Sequence, residues 1–133
     1  ILERVLKEFG EMTGRKYEAF EYFGDENPDR VIVIMGSGTE AVHETVEFLN
    51  SKGEKVGVIK VRLYRPFQVE KLIAKIPSSV KSIAVLDRTK EPGSAGEPLY
   101  LDVVNALFQD QISNNKKFKK ILKINKKNLK IIN

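Results

Sequence analysis

Val31-Ile32-Val33-Ile34-Met35-Gly36-Ser37-Gly38-Thr39 is the stretch on which the fold turns. Its first half is continuously apolar and rich in β-branched residues, the composition of a strand covered on both faces rather than on one. Two glycines break the run, and apolar residues return at Val42, Val46 and Leu49, the spacing of one helix face. Ser37 and Glu40 have the spacing of a capping box, and Gly53 stops the helix. A buried strand that turns directly into a helix opens a βαβ unit, and such units build parallel sheets.

The same pattern repeats toward the carboxyl terminus. Val56 to Leu63 reads as a second strand, and Pro66 opens a short helix whose Val69, Leu72, Ile73 and Ile76 keep the 3.6-residue period until Pro77. Ser82 to Leu86 is a third strand. After residues 87–97 comes a helix with Tyr100, Val104, Leu107 and Phe108 on its inner face. Helical crossovers between strands predict a mainly parallel sheet of at least three strands, in a three-layer α/β/α arrangement.

Toward the amino terminus, Tyr17, Phe20, Tyr22 and Phe23 form an aromatic-rich lead into the turn Asn27-Pro28-Asp29. Ile1, Val5, Leu6 and Phe9 stand at helical spacing before Gly14, a connecting helix with one apolar stripe for something to cover. The chain therefore divides into a connecting helix (1–13), an α/β domain (14–112) and a Lys/Asn-rich tail (113–133).

With 133 residues, 41% hydrophobic and 31% charged, the chain suits one domain with a modest core. Its net charge of +5 is uneven, because residues 113–133 hold eight lysines and no acid while the remainder carries −3. That tail reads as a solvated end, or as a binder of phosphate backbones through counterion release. Its interleaved Phe118, Ile121, Leu122, Ile124, Leu129, Ile131 and Ile132 allow a helix, or an edge strand within 120–132, with lysines outward. No apolar run approaches the roughly 20 residues of a membrane helix. The amphipathic, acid-containing amino terminus does not read as a signal peptide. Zero cysteines exclude a disulfide, a thiolate ligand or a cysteine nucleophile in this chain. That fits a cytoplasmic protein, and equally a secreted domain that needs no staple.

Gly36-Ser37-Gly38-Thr39 has the look of a phosphate-cradling loop, but position 41 is Ala where a dinucleotide fingerprint needs glycine. The second strand ends in Val61-Arg62-Leu63 rather than in an acid for a ribose, and no Walker lysine follows. The loop reads as a tight βα turn. His43 is the sole histidine, without a second imidazole or thiolate for a metal or a Gly-x-Ser-x-Gly elbow for a triad. The remaining chemistry gathers beyond the second and third strands. Arg62, Tyr64, Arg65, Asp87, Arg88, Lys90 and Glu97, with Phe67 and Glu91, converge on the carboxyl edge of the sheet. Opposite charges there pair and hold the loops rigid, or arginine and tyrosine anchor another domain or subunit.

These loops carry a likeness. Gly14-Arg15-Lys16-Tyr17, Met35-Gly36-Ser37-Gly38, Val56-Gly57-Val58, Lys60 through Phe67, Val85 through Gly93 and Gly96 through Val103 resemble, in order, pyruvate:ferredoxin (flavodoxin) oxidoreductases. The likeness is to their second domain, itself similar to the carboxy-terminal domain of transketolase, and spans residues 14–110. Pyruvate:NADP oxidoreductases are expected to carry the same blocks. The resemblance implies a transketolase-like α/β/α fold in part of a homodimeric enzyme that converts pyruvate and coenzyme A to acetyl-CoA and CO2. Electrons would pass to ferredoxin or flavodoxin. Thiamine diphosphate, Mg2+ and iron–sulfur (4Fe-4S) clusters are then expected in other domains, since this chain has no cysteine and no Gly-Asp-Gly motif. By itself it is expected to be inactive, with no catalytic, cofactor-binding or metal residue. The family also leads to a Gly-Gly-Arg-Tyr-Gly-Leu-type loop associated with coenzyme A, where this chain has its Lys/Asn-rich tail. Two other readings stay open: a free-standing nucleotide-binding α/β module using Gly36–Thr39, and a nucleic-acid binder acting through the tail.

Overall fold

The computed structural model describes residues 2–112 and a short strand, Ile131–Ile132. In chain order the elements are α1 (Leu2–Thr13), β1 (Phe20–Gly24), β2 (Arg30–Met35), a 3-10 turn (Gly36–Gly38), α2 (Thr39–Ser51), β3 (Val56–Val61), α3 (Val69–Lys75), β4 (Ser82–Leu86), α4 (Pro98–Ile112) and β5 (Ile131–Ile132). The strands form one sheet in the order β1-β3-β2-β4-β5. β3, β2, β4 and β5 are parallel, while β1 pairs antiparallel with β3, Phe20 opposite Val61.

β2 lies between β3 and β4, and both of its faces are covered, which is why its sequence shows no polar alternation. Val31 and Val33 enter a core with Ile59, Ile83, Val85, α3 residues Leu72, Ile73 and Ile76, and α4 residues Leu99, Val103, Ala106 and Leu107. On the other face Ile34 packs with Val58 and Val46, flanked by Val42 and Leu49 of α2. Burying each such side chain stabilises the fold by about 1.5–3 kcal/mol. The three-layer α/β/α architecture is the one expected.

Several local expectations give way to the structure. The second strand stops at Val61, so Arg62 and Leu63 already belong to the loop. The aromatic lead becomes β1, paired with β3 through Tyr22 opposite Ile59. Gly57 makes room for that tyrosine: a Cβ there would lie 2.3 Å from the Tyr22 hydroxyl. Ser37 and Glu40 form no capping box. Gly36, at φ +80, opens a 3-10 turn, Gly38 takes the N-cap, and both side chains are engaged elsewhere. Pro66 does not begin a helix: it follows a cis bond from Arg65, and α3 starts at Val69.

α4 turns a different face inward. Leu99, Val103, Ala106 and Leu107 are buried, Tyr100 and Val104 are only half-buried, and Phe108 is exposed. Apolar residues surround this helix, so periodicity alone did not select a side. α1 has no buried residue and exposes Leu2, Val5, Phe9 and Met12. It is held by the Glu3–Lys71 ion pair and by the Phe9 ring against Tyr17, with centroids 5.5 Å apart. Ile1, tail residues 113–130 and Asn133 lie outside the described residues. Within the expected 120–132 edge strand, Ile131–Ile132 joins the sheet beside β4.

Candidate interface at the carboxyl ends of the strands

From β2 the chain passes through α2 to β3 on one side, then through α3 back past β2 to β4 on the other. The direction reverses between β2 and β4, the place where open α/β sheets commonly receive ligands. Here the two loops are joined: Arg88 Nη1 donates a hydrogen bond to Ser37 Oγ at 2.6 Å. Thr39, buried beneath the turn, donates to the Gly36 carbonyl at 2.9 Å, so the glycine loop is tied to itself.

The side chains read as rim residues from the sequence fall into two clusters, one at the start of each of two helices. Around α2, Arg62 Nε lies 3.0 Å from Glu21 Oε2 of β1 and its Nη2 lies 3.6 Å from Glu40 Oε1. Lys60, buried although it is charged, donates to both Glu40 oxygens at 3.1 Å. That bond holds the Glu40 carboxyl below its usual range despite the opposing effect of desolvation.

Around α4, the Tyr64 hydroxyl donates to Asp102 Oδ2 at 2.7 Å and accepts from Arg65 Nη2 at 3.0 Å. Arg65 Nη1 reaches the same Asp102 oxygen at 2.8 Å, and its guanidinium stacks 3.8 Å above the Tyr64 ring. Burial first, and the hydrogen bond to the Asp102 carboxylate second, push the Tyr64 phenol up to about 12. Phe67 meets Tyr64 edge-on at 6.1 Å and Phe20 at 5.5 Å, carrying the loop onto the core.

Asp87 binds the next loop to this helix. Its Oδ1 accepts from the Thr89 amide and its Oδ2 from the Leu99 amide in the first turn of α4, both at 2.9 Å. Burial acts to raise its pKa, but these backbone donors outweigh it and leave the carboxyl below its ordinary value. Glu97 is turned inward, accepting from the Glu91 amide at 2.9 Å, with Lys90 Nζ 3.5 Å away.

All seven expected rim residues thus sit at the strand ends, divided between the two helix starts. Four partners were missed: Glu21, Lys60, Glu40 and Asp102. Asp102 gave little signal, because it lies past the first turn of α4, where the helix dipole no longer singles out an acid. Lys60 had none, because a lysine inside an apolar strand looks like an outward-facing one. His43 stacks on Phe23 with centroids 3.6 Å apart, and its Nε2 lies 3.6 Å from Glu47. Iron–sulfur ligation does not fit a chain without cysteine. Among the described residues no group of three or more His, Asp or Glu side chains could hold a metal ion. None of their helices is long and apolar enough to cross a membrane.

Residues 28–131 match the protein family described as pyruvate:ferredoxin oxidoreductase core domain II. A pyruvate-flavodoxin oxidoreductase of a Nostoc species is 65% identical over 106 residues, which cover 80% of this chain and 26% of that protein. One from Trichormus variabilis is 62% identical over 109 residues, 82% of this chain and 9% of the relative. A pyruvate:ferredoxin oxidoreductase of Moorella thermoacetica is 56% identical over 109 residues, again 82% of this chain and 9% of the relative. The matched region spans under a tenth of the last two proteins.

Proposed function

The chain belongs to the pyruvate:ferredoxin oxidoreductase core domain II family, and we propose that it is the non-catalytic, architectural domain of such an enzyme. The parent enzyme, a cytoplasmic homodimer, cleaves the C1–C2 bond of pyruvate, releases CO2, transfers the acetyl group to coenzyme A and passes two electrons to ferredoxin or flavodoxin. Thiamine diphosphate, Mg2+ and the iron–sulfur clusters are held by its other domains. This domain, residues 14–112, buttresses them through Arg62, Tyr64, Arg65, Asp87, Arg88, Lys90 and Glu97, with residues 1–13 connecting it to the rest. Alone, it turns over no pyruvate.

The observation that carries this reading is that rim side chains are spent on one another and on the backbone, Tyr64 and Arg65 on Asp102 and Asp87 on the Thr89 and Leu99 amides. A general acid or base works best with a pKa near the operating pH. Here Asp87 and Glu40 are held below the ordinary carboxylate values, and the Tyr64 phenol is held at about 12. Each shift moves away from neutrality, toward a fixed protonation state that suits holding a surface in shape. The exposed Arg65 stacked on Tyr64 is an anchor of the type favoured at protein interfaces.

Arg65→Ala in the full-length oxidoreductase tests the reading. Mass photometry is expected to find less assembled enzyme, while turnover per assembled enzyme, read as pyruvate-dependent flavodoxin reduction, stays at wild type. Full assembly with slowed turnover would replace the architectural role with a catalytic one.

A further inference from the structure

We propose that the surface seated on this rim is acidic: a carboxylate-bearing segment of the rest of the oxidoreductase polypeptide. This rests on the interface reading above and adds the chemistry of the partner.

Around α4 the rim sorts its charges by depth, whereas around α2 the buried Lys60 lies beneath the exposed Glu40. Glu97, whose side chain is only 11% exposed, has its oxygens taken by the Glu91 amide and by Lys90. Asp87 has both oxygens occupied by backbone amides, and one Asp102 oxygen receives both Tyr64 and Arg65. The cations lie outside them. Lys90 is 89% exposed, Arg65 and Arg62 are also exposed, and Arg88 has no carboxylate partner among the described residues.

Guanidinium offers five N–H donors in a planar fork. Among the described residues the Arg88 side chain hydrogen-bonds to Ser37 alone, which leaves most of its fork without a described partner. The amino-terminal ends of α2 and α4 open at the same rim and add partial positive charge. Among the exposed acids of the rim, Glu40 is already clamped by Lys60 and Arg62, which leaves Glu91.

A partner approaching to contact distance therefore meets the unspent fork of Arg88, the remaining N–H groups of the already paired Arg62, Arg65 and Lys90, and few free acceptors. Carboxylates satisfy such forks best, in a bidentate manner. Because the inward carboxylates nearly balance the cations, the long-range field is small, and recognition acts at contact rather than by steering.

The test uses the full-length oxidoreductase. A water-soluble carbodiimide joins a lysine amine to a carboxylate only where the two touch, and peptide mass spectrometry reads the products. The Lys90–Glu97 product is the internal control. Lys90 is expected to join also to Asp or Glu outside residues 1–133, and so are the new lysines in Arg65→Lys and Arg88→Lys. A lysine–lysine reagent with a long spacer reports proximity without regard to charge. Spacer products without external carbodiimide products would overturn the acidic partner and leave the interface reading standing. Neither kind of product would overturn both. Spacer products that vanish after nuclease treatment would assign the rim to nucleic acid and overturn the proposal.

Discussion

Removing the Tyr64 hydroxyl, as in Tyr64→Phe, tests how the rim is held together. That oxygen donates to Asp102 at 2.7 Å and accepts from Arg65 at 3.0 Å, tying the loop after β3 to α4. A hydrogen bond to a charged acceptor is worth about 1.5–3 kcal/mol. Arg65 still neutralises Asp102 at 2.8 Å in the variant, so the cost falls to about 1–2 kcal/mol. For a domain of this size that lowers Tm by about 3–8 °C, readable by circular dichroism. An alkaline titration adds a second readout. The folded-state pKa of Tyr64 is about 12, raised from 10.0. The folded chain thus keeps the phenol proton longer than the unfolded chain does. This contribution is complete below pH 10 and is lost as pH rises toward 12. Solvent screening of a half-exposed phenol holds that loss to about 1 kcal/mol. Tyr64→Phe should therefore lose less stability than wild type between pH 10 and 12. An unchanged Tm together with an unchanged alkaline slope would refute the hydroxyl's role as the tie.

Asp87→Ala strips the α4 start of its carboxylate and is expected to cost about 1 kcal/mol in chemical denaturation, as cap losses do. Since the Asp87 pKa is lowered, its contribution is present above the unfolded carboxylate value and lost as pH falls through the folded one. Asp87→Asn should flatten that acid limb, and an acid titration followed by circular dichroism would show whether it does. Gly57→Ala drives a methyl into the Tyr22 ring and is expected to cost about 1–3 kcal/mol. In a Tyr22→Ala background the same change should cost much less, so additive losses in the double-mutant cycle would contradict the close approach. Glu40→Ala, which leaves Lys60 buried without its partner, should lower Tm further than Lys60→Met combined with Glu40→Ala. The reverse order of melting points would argue that Lys60 needs no counter-charge.

The parallel centre of this protein was legible because the hydrophobic effect writes itself locally. Val31–Met35 had to be covered on both faces, and the helical periods after it supplied the covers. Six neighbouring blocks of residues were enough to suggest the family, since loops at strand ends keep their chemistry in short stretches of chain. β1 was harder to see: Phe20 and Tyr22 point to one core and Phe23 to the other, so no clean alternation marks it. Its pairing with β3, more than thirty residues away, makes it a strand.

The alternation of strands and helices, the mainly parallel sheet and the charge at its carboxyl rim were readable from the residues, because each depends on neighbours a few positions apart. The buried face of α4, the partners of Ser37 and Glu40, and the meeting of Tyr64 and Arg65 at Asp102 emerged from the packed fold. Those outcomes depend on pairs 20 to 51 residues apart in the chain, brought within hydrogen-bond reach by the register of the sheet. No short window of sequence contains both members of such a pair.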